Sequence, residues 1–265
     1  MQANLLQRYI PKGSLTYYFD LIFHLVRCDF SLRFKGSTFG VLWSLMLPLA
    51  QLLVLIFVFQ KVIPLNIDAY PAFVFSALLP WTWFSSSINS ACNLFINNRG
   101  LMWRPNFAPI NLIIVNTLST LLLYLVVLPI LFGVLVFYGR AMTLTLLILP
   151  LLILIQCILI IGLSLIIATL NVFYRDIAHI VSVVLMLLFY ITPVFYWSQN
   201  VDENYRILYQ LNPLAVLIQC YRTILFYGTA PEWGSLLFLG VVSIVMCGLG
   251  YLIYSRQLHK VLDTI

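Results

Sequence analysis

Long apolar runs separated by short polar breaks dominate the chain. The runs are Val41–Ile63, Tyr70–Leu94, Asn111–Tyr138, Met142–Leu170, Ile177–Trp197 and Gly234–Tyr254. Each supplies the roughly 20 apolar residues that a helix needs to cross the hydrocarbon core of a bilayer. The pattern therefore predicts an all-α integral membrane protein with six transmembrane helices. The breaks carry turn chemistry. Lys61 is followed by the segment from Pro64 to Pro71, and Asn97-Asn98-Arg99-Gly100 leads to Arg104-Pro105. Gly139-Arg140 and Tyr174-Arg175-Asp176 complete the set.

Two stretches depart from this pattern. In residues 13–35, Leu15, Tyr18, Phe19, Ile22, Leu25, Val26 and Phe30 recur at helical spacing, while Asp20, His24 and Arg27 fall elsewhere on the wheel. This spacing predicts an amphipathic helix lying in the membrane interface. Gly36-x-x-x-Gly40 then reads as a tight turn ahead of the first span. Residues 205–228 are apolar but interrupted by Asn212-Pro213, and they carry Arg206 and Arg222. They read as outer re-entrant helices between spans five and six. Irregular backbone at that depth is tolerated only where protein or water surrounds it.

Charge placement fixes the orientation. With six spans and the N-terminus inside, the cytoplasmic set is Arg8, Lys12, Arg27, Arg33, Lys35, Arg99, Arg104, Arg175, Arg256 and Lys260, ten of the 14 Lys and Arg. That excess predicts cytoplasmic N- and C-termini, and a seventh span would weaken it. The net charge of +6 contains no basic run, so it signals orientation and not nucleic-acid binding. Composition agrees: 63% of residues are apolar and 8% charged, against about 25% charged in soluble domains. No cleavable signal is evident, and the first span serves as an insertion signal. The chain reads as one membrane domain over 1–265, with an interfacial segment at 1–38, the six-helix region at 39–255 and a tail at 256–265.

The chemistry that is missing narrows the function. No phosphate-cradling G-x-x-x-x-G-K-[ST] run occurs, nor a metal-binding H-E-x-x-H or D-x-D motif. His24, His179 and His259 are far apart, and the five cysteines show no paired spacing. The spans carry no acidic residue in their middles, so an ion-driven pump is disfavoured. We expect no catalytic residues, no metal and no cofactor on this chain. The spans are instead rich in aromatic residues. Trp43, Trp81, Trp83, Phe189, Tyr190, Tyr196 and Trp197 are candidates for a substrate pathway, since rings stack on sugars while letting them slide. Thr192-Pro193 opens the backbone among them. An interfacial aromatic belt is the plainer account of the same residues.

Arg33-Phe-Lys-Gly-Ser-Thr-Phe-Gly40 with Leu42-Trp43 and Pro48, Leu170-Asn-Val-Phe-Tyr-Arg-Asp-Ile177, Thr192-Pro193, and Asn212-Pro213 with Arg222 stand in this order along the chain. In order and spacing, over residues 14–258, this resembles the ABC-2 type polysaccharide exporter permeases. The resemblance implies a homodimer bound to two copies of a separate ABC ATPase subunit, which holds ATP and magnesium. It also implies that the N-terminal helix and the loop after span two meet that ATPase. In this chain the loop is Asn97–Pro109, with Asn97, Arg99, Met102, Trp103 and Arg104 as contact candidates. An exposed Met-Trp pair flanked by arginines suits a protein partner. Arg175-Asp176 reads as a gating pair or a helix cap. Arg27, Arg33 and Lys35 read as attracting a lipid diphosphate near the gate.

The expected function is export of a lipid-linked polysaccharide, an undecaprenyl-diphosphate-linked O-antigen, across the bacterial inner membrane. The rival readings are an ABC-2 exporter of another cargo (teichoic acid, capsule, a drug or free lipid) and a membrane enzyme acting on polyprenyl lipids. Exporters of a drug or free lipid often carry a large outer loop between spans, and this chain has none. The second would need acidic or metal-binding residues gathered at a membrane face.

Overall fold

The computed structural model describes residues 15–37, 39–40, 42–104, 107–140, 143–197, 209 and 211–264. In chain order the helices are α1 (Leu15–Arg33), α2 (Leu42–Ile56, widening into a π turn over Phe57–Val62), α3 (Tyr70–Cys92), two short turns α4 (Leu94–Asn97) and α5 (Arg99–Met102), and α6 (Ile110–Phe137). After a 3₁₀ lead-in at Leu144–Ile148 come α7 (Leu149–Phe173), α8 (Ile177–Ile191), α9 (Pro213–Leu225) and α10 (Trp233–Thr264).

Four helical stretches are long and apolar enough to cross a membrane: Leu42–Val62, Ile110–Phe137, Leu144–Phe173 and Trp233–Thr264. They match four of the six predicted spans within a few residues at most ends. The other two differ for physical reasons. α3 has 23 residues, about 35 Å at 1.5 Å per residue, but Thr82, Ser85, Ser86, Ser87, Asn89 and Ser90 make its second half polar. α8 has 15 residues, about 22 Å, short of a hydrocarbon core about 30 Å thick. It stops at Ile191 and not at Trp197, because Pro193 follows the C-cap Thr192 and cannot continue the helix. The last span also needs revision. α10 runs on past Tyr254 to Thr264, so the predicted C-terminal tail is largely its final turns.

α3 sits at the centre. It touches α2, α6, α7, α8 and α9, and every residue from Tyr70 to Trp81 is buried. Its hydroxyls answer to its own carbonyls: Ser76 Oγ donates to Phe73 O and Ser87 Oγ to Trp83 O, each at 2.8 Å. This back-bonding is how a polar helix survives without water. α10 pairs most extensively with α7. At their crossing a Cβ on Gly162 would lie 2.5 Å from Cys247 N, and one on Gly250 would strike Gly162 O. Only glycine allows this approach, a packing mode typical of membrane helices.

α1 packs along α6, and the predicted apolar face holds in part. Val26 is buried and Ile22, Leu25 and Phe30 are half-buried, but Phe19 is 72% exposed and Phe23 67%. With α6 beneath it, α1 has only a narrow strip to cover. The turn expected at Gly36 and Gly40 is present, with φ of 79° and 49°. α9 begins at the predicted break, where Asn212 Oδ1 accepts a hydrogen bond from Leu214 N at 3.0 Å and Pro213 occupies the first turn. Residues 1–14 and most of 198–210, including the first half of the predicted re-entrant pair, lie outside the described residues.

The long helices α2, α3, α6, α7, α8 and α10 run alternately up and down. One end of the bundle gathers Phe95, Met102, Ile113, Val172, Tyr254 and Val261 in a small core of its own. At the opposite end Phe59, Tyr70 and Phe195 meet. α1 and the last turns of α10 thus share the first end. For the α7–α10 crossing, Gly162→Val should lower the melting temperature of the purified chain in detergent, through an overpacking cost of about 1–3 kcal/mol. Gly248→Val, where a Cβ meets open space, should leave it unchanged.

Candidate functional site

At the first end, α1 and α6 enclose an open groove of about 630 Å³, lined by Phe23, Arg27, Phe30, Phe34, Lys35 and Leu122 among others. Two of the three cations expected to attract a lipid diphosphate, Arg27 and Lys35, therefore share one groove with aromatic and aliphatic walls. Arg33 does not join them. Its Nε donates to Asp29 Oδ2 at 2.8 Å and its Nη2 to Asn116 Oδ1 at 3.0 Å. That correction has a geometric cause: Arg33 lies on the strip of α1 that faces α6, away from Arg27.

Asn116, 1% exposed, is a junction that sequence reading missed. Its Oδ1 also accepts from Ser90 Oγ at 2.7 Å, and its Nδ2 donates to Ser87 O at 3.0 Å. Ser87 and Thr120 hydroxyls meet at 2.6 Å. One amide thereby ties α1, α3 and α6 together. The signal available in the sequence was an asparagine inside an apolar run, where a polar side chain must find a protein partner.

The loop after α3 is built from two short helical turns packed on the small core of this end. Met102, predicted to be exposed beside Trp103, is buried at 4% exposure among Phe95, Leu112 and Ile113. Trp103 is 63% exposed, and Asn97, Arg99 and Arg104 are exposed around it. The short turns α4 and α5 separate the two roles: one side faces the small core, and the other presents an indole with two guanidiniums.

Asn171 anchors this loop to the next. Its Nδ2 donates to Cys92 O at 2.8 Å and to Asn93 Oδ1 at 3.1 Å, while its Oδ1 accepts from Ala178 N at 3.0 Å. One buried amide thus joins the end of α3 to the start of α8. Arg175 and Asp176, singled out instead, are exposed and do not pair with each other: the ion pair found among the described residues is Arg33–Asp29. Asp176 occupies the N-cap position of α8, as expected, but makes no side-chain cap bond there.

The aromatic candidates divide into two groups. Trp43 and Trp83 line one cavity of about 180 Å³ with Leu47, Thr82, Thr120 and Tyr124. Trp81 instead packs on Phe189 at 5.8 Å, and Phe189 leads to Tyr190 and Phe195. Trp197 meets Phe73 edge-on at 6.3 Å, and the Tyr196 hydroxyl lies 2.8 Å from that of Tyr209. Trp81 and Trp83 are buried, while Trp43 and Tyr190 are more than half exposed.

Residues 20–226 match the family described as ABC-2 type transporter. The chain is 32% identical over 251 residues to an O-antigen export system permease protein RfbA of Klebsiella pneumoniae, covering 94% of this chain and 96% of that one. A protein of the same name from Myxococcus xanthus is 31% identical over 258 residues, 95% and 98% of the two chains. The polysialic acid transport protein KpsM of Escherichia coli is 26% identical over 240 residues, 88% and 91%.

The divided roles of Met102 and Trp103 are separable by stability. Met102→Ala should destabilise the purified chain by about 2–5 kcal/mol, as for other buried methionines. Trp103→Ala should leave its thermal unfolding within experimental error.

Proposed function

The chain belongs to the ABC-2 type transporter family, and from that membership we propose that it is the membrane permease subunit of a polysaccharide exporter. It is a transport subunit and not an enzyme: a separate ABC ATPase hydrolyses ATP with magnesium and moves this chain. Two copies of the permease pair in the bacterial inner membrane with two copies of that ATPase. The cargo is a lipid-linked glycan, an undecaprenyl-diphosphate-linked O-antigen. The relatives named for O-antigen export support this reading, since they match nearly the whole chain. The relatives named for polysialic acid transport favour a capsule-type cargo for the same machinery, at lower identity.

The observation that carries the reading is the groove beneath α1. Two cations, Arg27 and Lys35, stand beside an apolar wall of Phe23, Phe30, Phe34 and Leu122. A diphosphate on a polyprenyl chain needs that combination: charge-assisted hydrogen bonds for the headgroup and apolar surface for the tail. Trp103, Arg99 and Arg104 form the face offered to the ATPase, with Arg175 and Asp176 of the next loop on the same end. Motion imposed there passes through Asn171 to α8 and through the Met102 core to α10. Motion imposed on α1 passes through Arg33 and Asn116 to α3 and α6.

The six-span topology with cytoplasmic termini draws support from two features. α1 and the end of α10 lie at the same end of the bundle. The lysines and arginines of that end outnumber those of the other. Exposed apolar residues on α2 and α8, among them Leu47, Leu53, Val183 and Leu187, face lipid or the second protomer.

The combined charge reversal Arg27→Glu with Lys35→Glu should lower surface display of the glycan at least tenfold in cells, with the protein still at its normal level in the membrane. Tenfold corresponds to about 1.4 kcal/mol, less than the about 1.5–3 kcal/mol typical of one charged hydrogen bond. Unchanged display would refute the groove as the diphosphate site. Trp103→Ala should weaken copurification of the ATPase, and the permease purified alone should hydrolyse no ATP.

A further inference from the structure

The end of the bundle opposite α1 is closed by a short segment, Thr192–Trp197, whose carbonyls are held from two directions. Arg222 Nη2 of α9 donates to Val194 O at 2.8 Å, and the Tyr70 hydroxyl of α3 donates to Phe195 O at 3.1 Å. The Phe195 ring is seated among Phe59, Phe189 and Tyr196, with centroids at 5.2, 5.8 and 5.0 Å. One short stretch thereby joins α2, α3, α8 and α9.

Among the described residues no carboxylate answers the charge at this joint. Arg222 is 1% exposed, and its guanidinium lies 3.8 Å above the Phe73 ring. Among the described residues its hydrogen-bond partner is the Val194 carbonyl, and its Nε and Nη1 are without a partner. Phe73 meets Phe226 edge-on at 5.5 Å, and Arg140 sits 4.0 Å over Phe226 with its own Nε unpartnered. Two guanidiniums therefore cap a pair of rings. Asp68 and Glu232, the described acids of this end, are exposed, and neither forms an ion pair among the described residues.

A buried guanidinium with one neutral acceptor and one ring is poorly compensated. Its remaining donors form the planar fork that binds phosphate in bidentate fashion. We propose that Arg222 receives the phosphate of the departing cargo, and that Thr192–Trp197 is a latch released when that phosphate takes the guanidinium from Val194. In the closed state the latch excludes water from the joint. A phosphate offers two charged acceptors where Val194 offers one carbonyl, so the exchange favours opening. Phe73 holds the guanidinium in place during the exchange, and Arg140 adds a second positive charge on the far side of the ring pair.

This inference builds on the permease reading, but its test uses the chain alone, so its failure leaves the export assay and the groove untouched. The full chain in phosphatidylcholine nanodiscs is followed by hydrogen–deuterium exchange of peptides covering 188–197, with and without inorganic pyrophosphate. Pyrophosphate should raise exchange several-fold in the wild type. Arg222→Gln should abolish that response. Phe73→Leu, which leaves the donors but removes the ring that holds the guanidinium in place, should move the response to several-fold higher pyrophosphate. Unaltered protection across the Gly162–Gly250 crossing identifies variants that are folded. A parallel arm with phosphatidylglycerol nanodiscs separates the two sources of phosphate. Loosening there without pyrophosphate assigns the site to lipid headgroups, and loosening only with pyrophosphate assigns it to a diphosphate cargo. Wild-type exchange that is indifferent in both arms, or a response that persists in folded Arg222→Gln, overturns the proposal.

Discussion

A polar group carried into a bilayer has no water to fall back on, so its partner must be supplied by the protein. This constraint organises the whole chain. α3 carries a run of serines and an asparagine in its second half, and it is the most enclosed of the long helices, since its serines and carbonyls can be satisfied only from within. Around it, single amides take carbonyls that would otherwise be stranded. Gln156 of α7 donates to Pro80 O at 3.0 Å, deep beside α3. Asn116 and Asn171 do the same at its lower end. The apolar helices α6 and α7 flank this centre, with α10 packed behind α7, and their outward surfaces remain free for lipid.

The same amides that satisfy the buried backbone also connect helices far apart in sequence. Asn116 holds α1 to α3 and α6, and Asn171 holds the α3 terminus to α8. A helix-to-helix bond of this kind contributes modestly to stability in membranes, on the order of 0.6 kcal/mol. Its consequence is directional: a displacement of α1 or of the 93–109 loop is delivered to particular helices. The close α7–α10 crossing provides the opposite property, a rigid pair against which the rest can shift. The bundle thus divides into a stiff half and a wired half.

Much of this was legible in the chain before any fold was known. Four of the spans, the N-terminal helix, the turn at Gly36–Gly40 and the Asn212-Pro213 break all follow from local rules of length, periodicity and backbone restriction. So does the shift of positive charge toward one end. The exposed Trp103 was also foreseeable, because an indole in a polar loop has little local reason to be buried. Its neighbour Met102 was not. Which of two adjacent loop residues turns inward depends on a small core assembled from α6, α7 and α10, far away in sequence. Arg33 was misjudged for the same reason, since its partner Asn116 is 83 positions distant.

What the sequence determined by itself is the membrane character, the approximate helix boundaries and the absence of nucleotide-binding and metal-binding motifs. Each of these is a property of a contiguous window, so no knowledge of neighbours is needed. Only the tertiary structure decided how similar residues are used. Three arginines illustrate it: Arg27 lines a groove, Arg33 is a strut, and Arg222 is buried over a ring with donors to spare. Their local sequences do not distinguish them. The difference arises because a guanidinium's role is set by the acceptors within its reach, and helix packing alone places those acceptors.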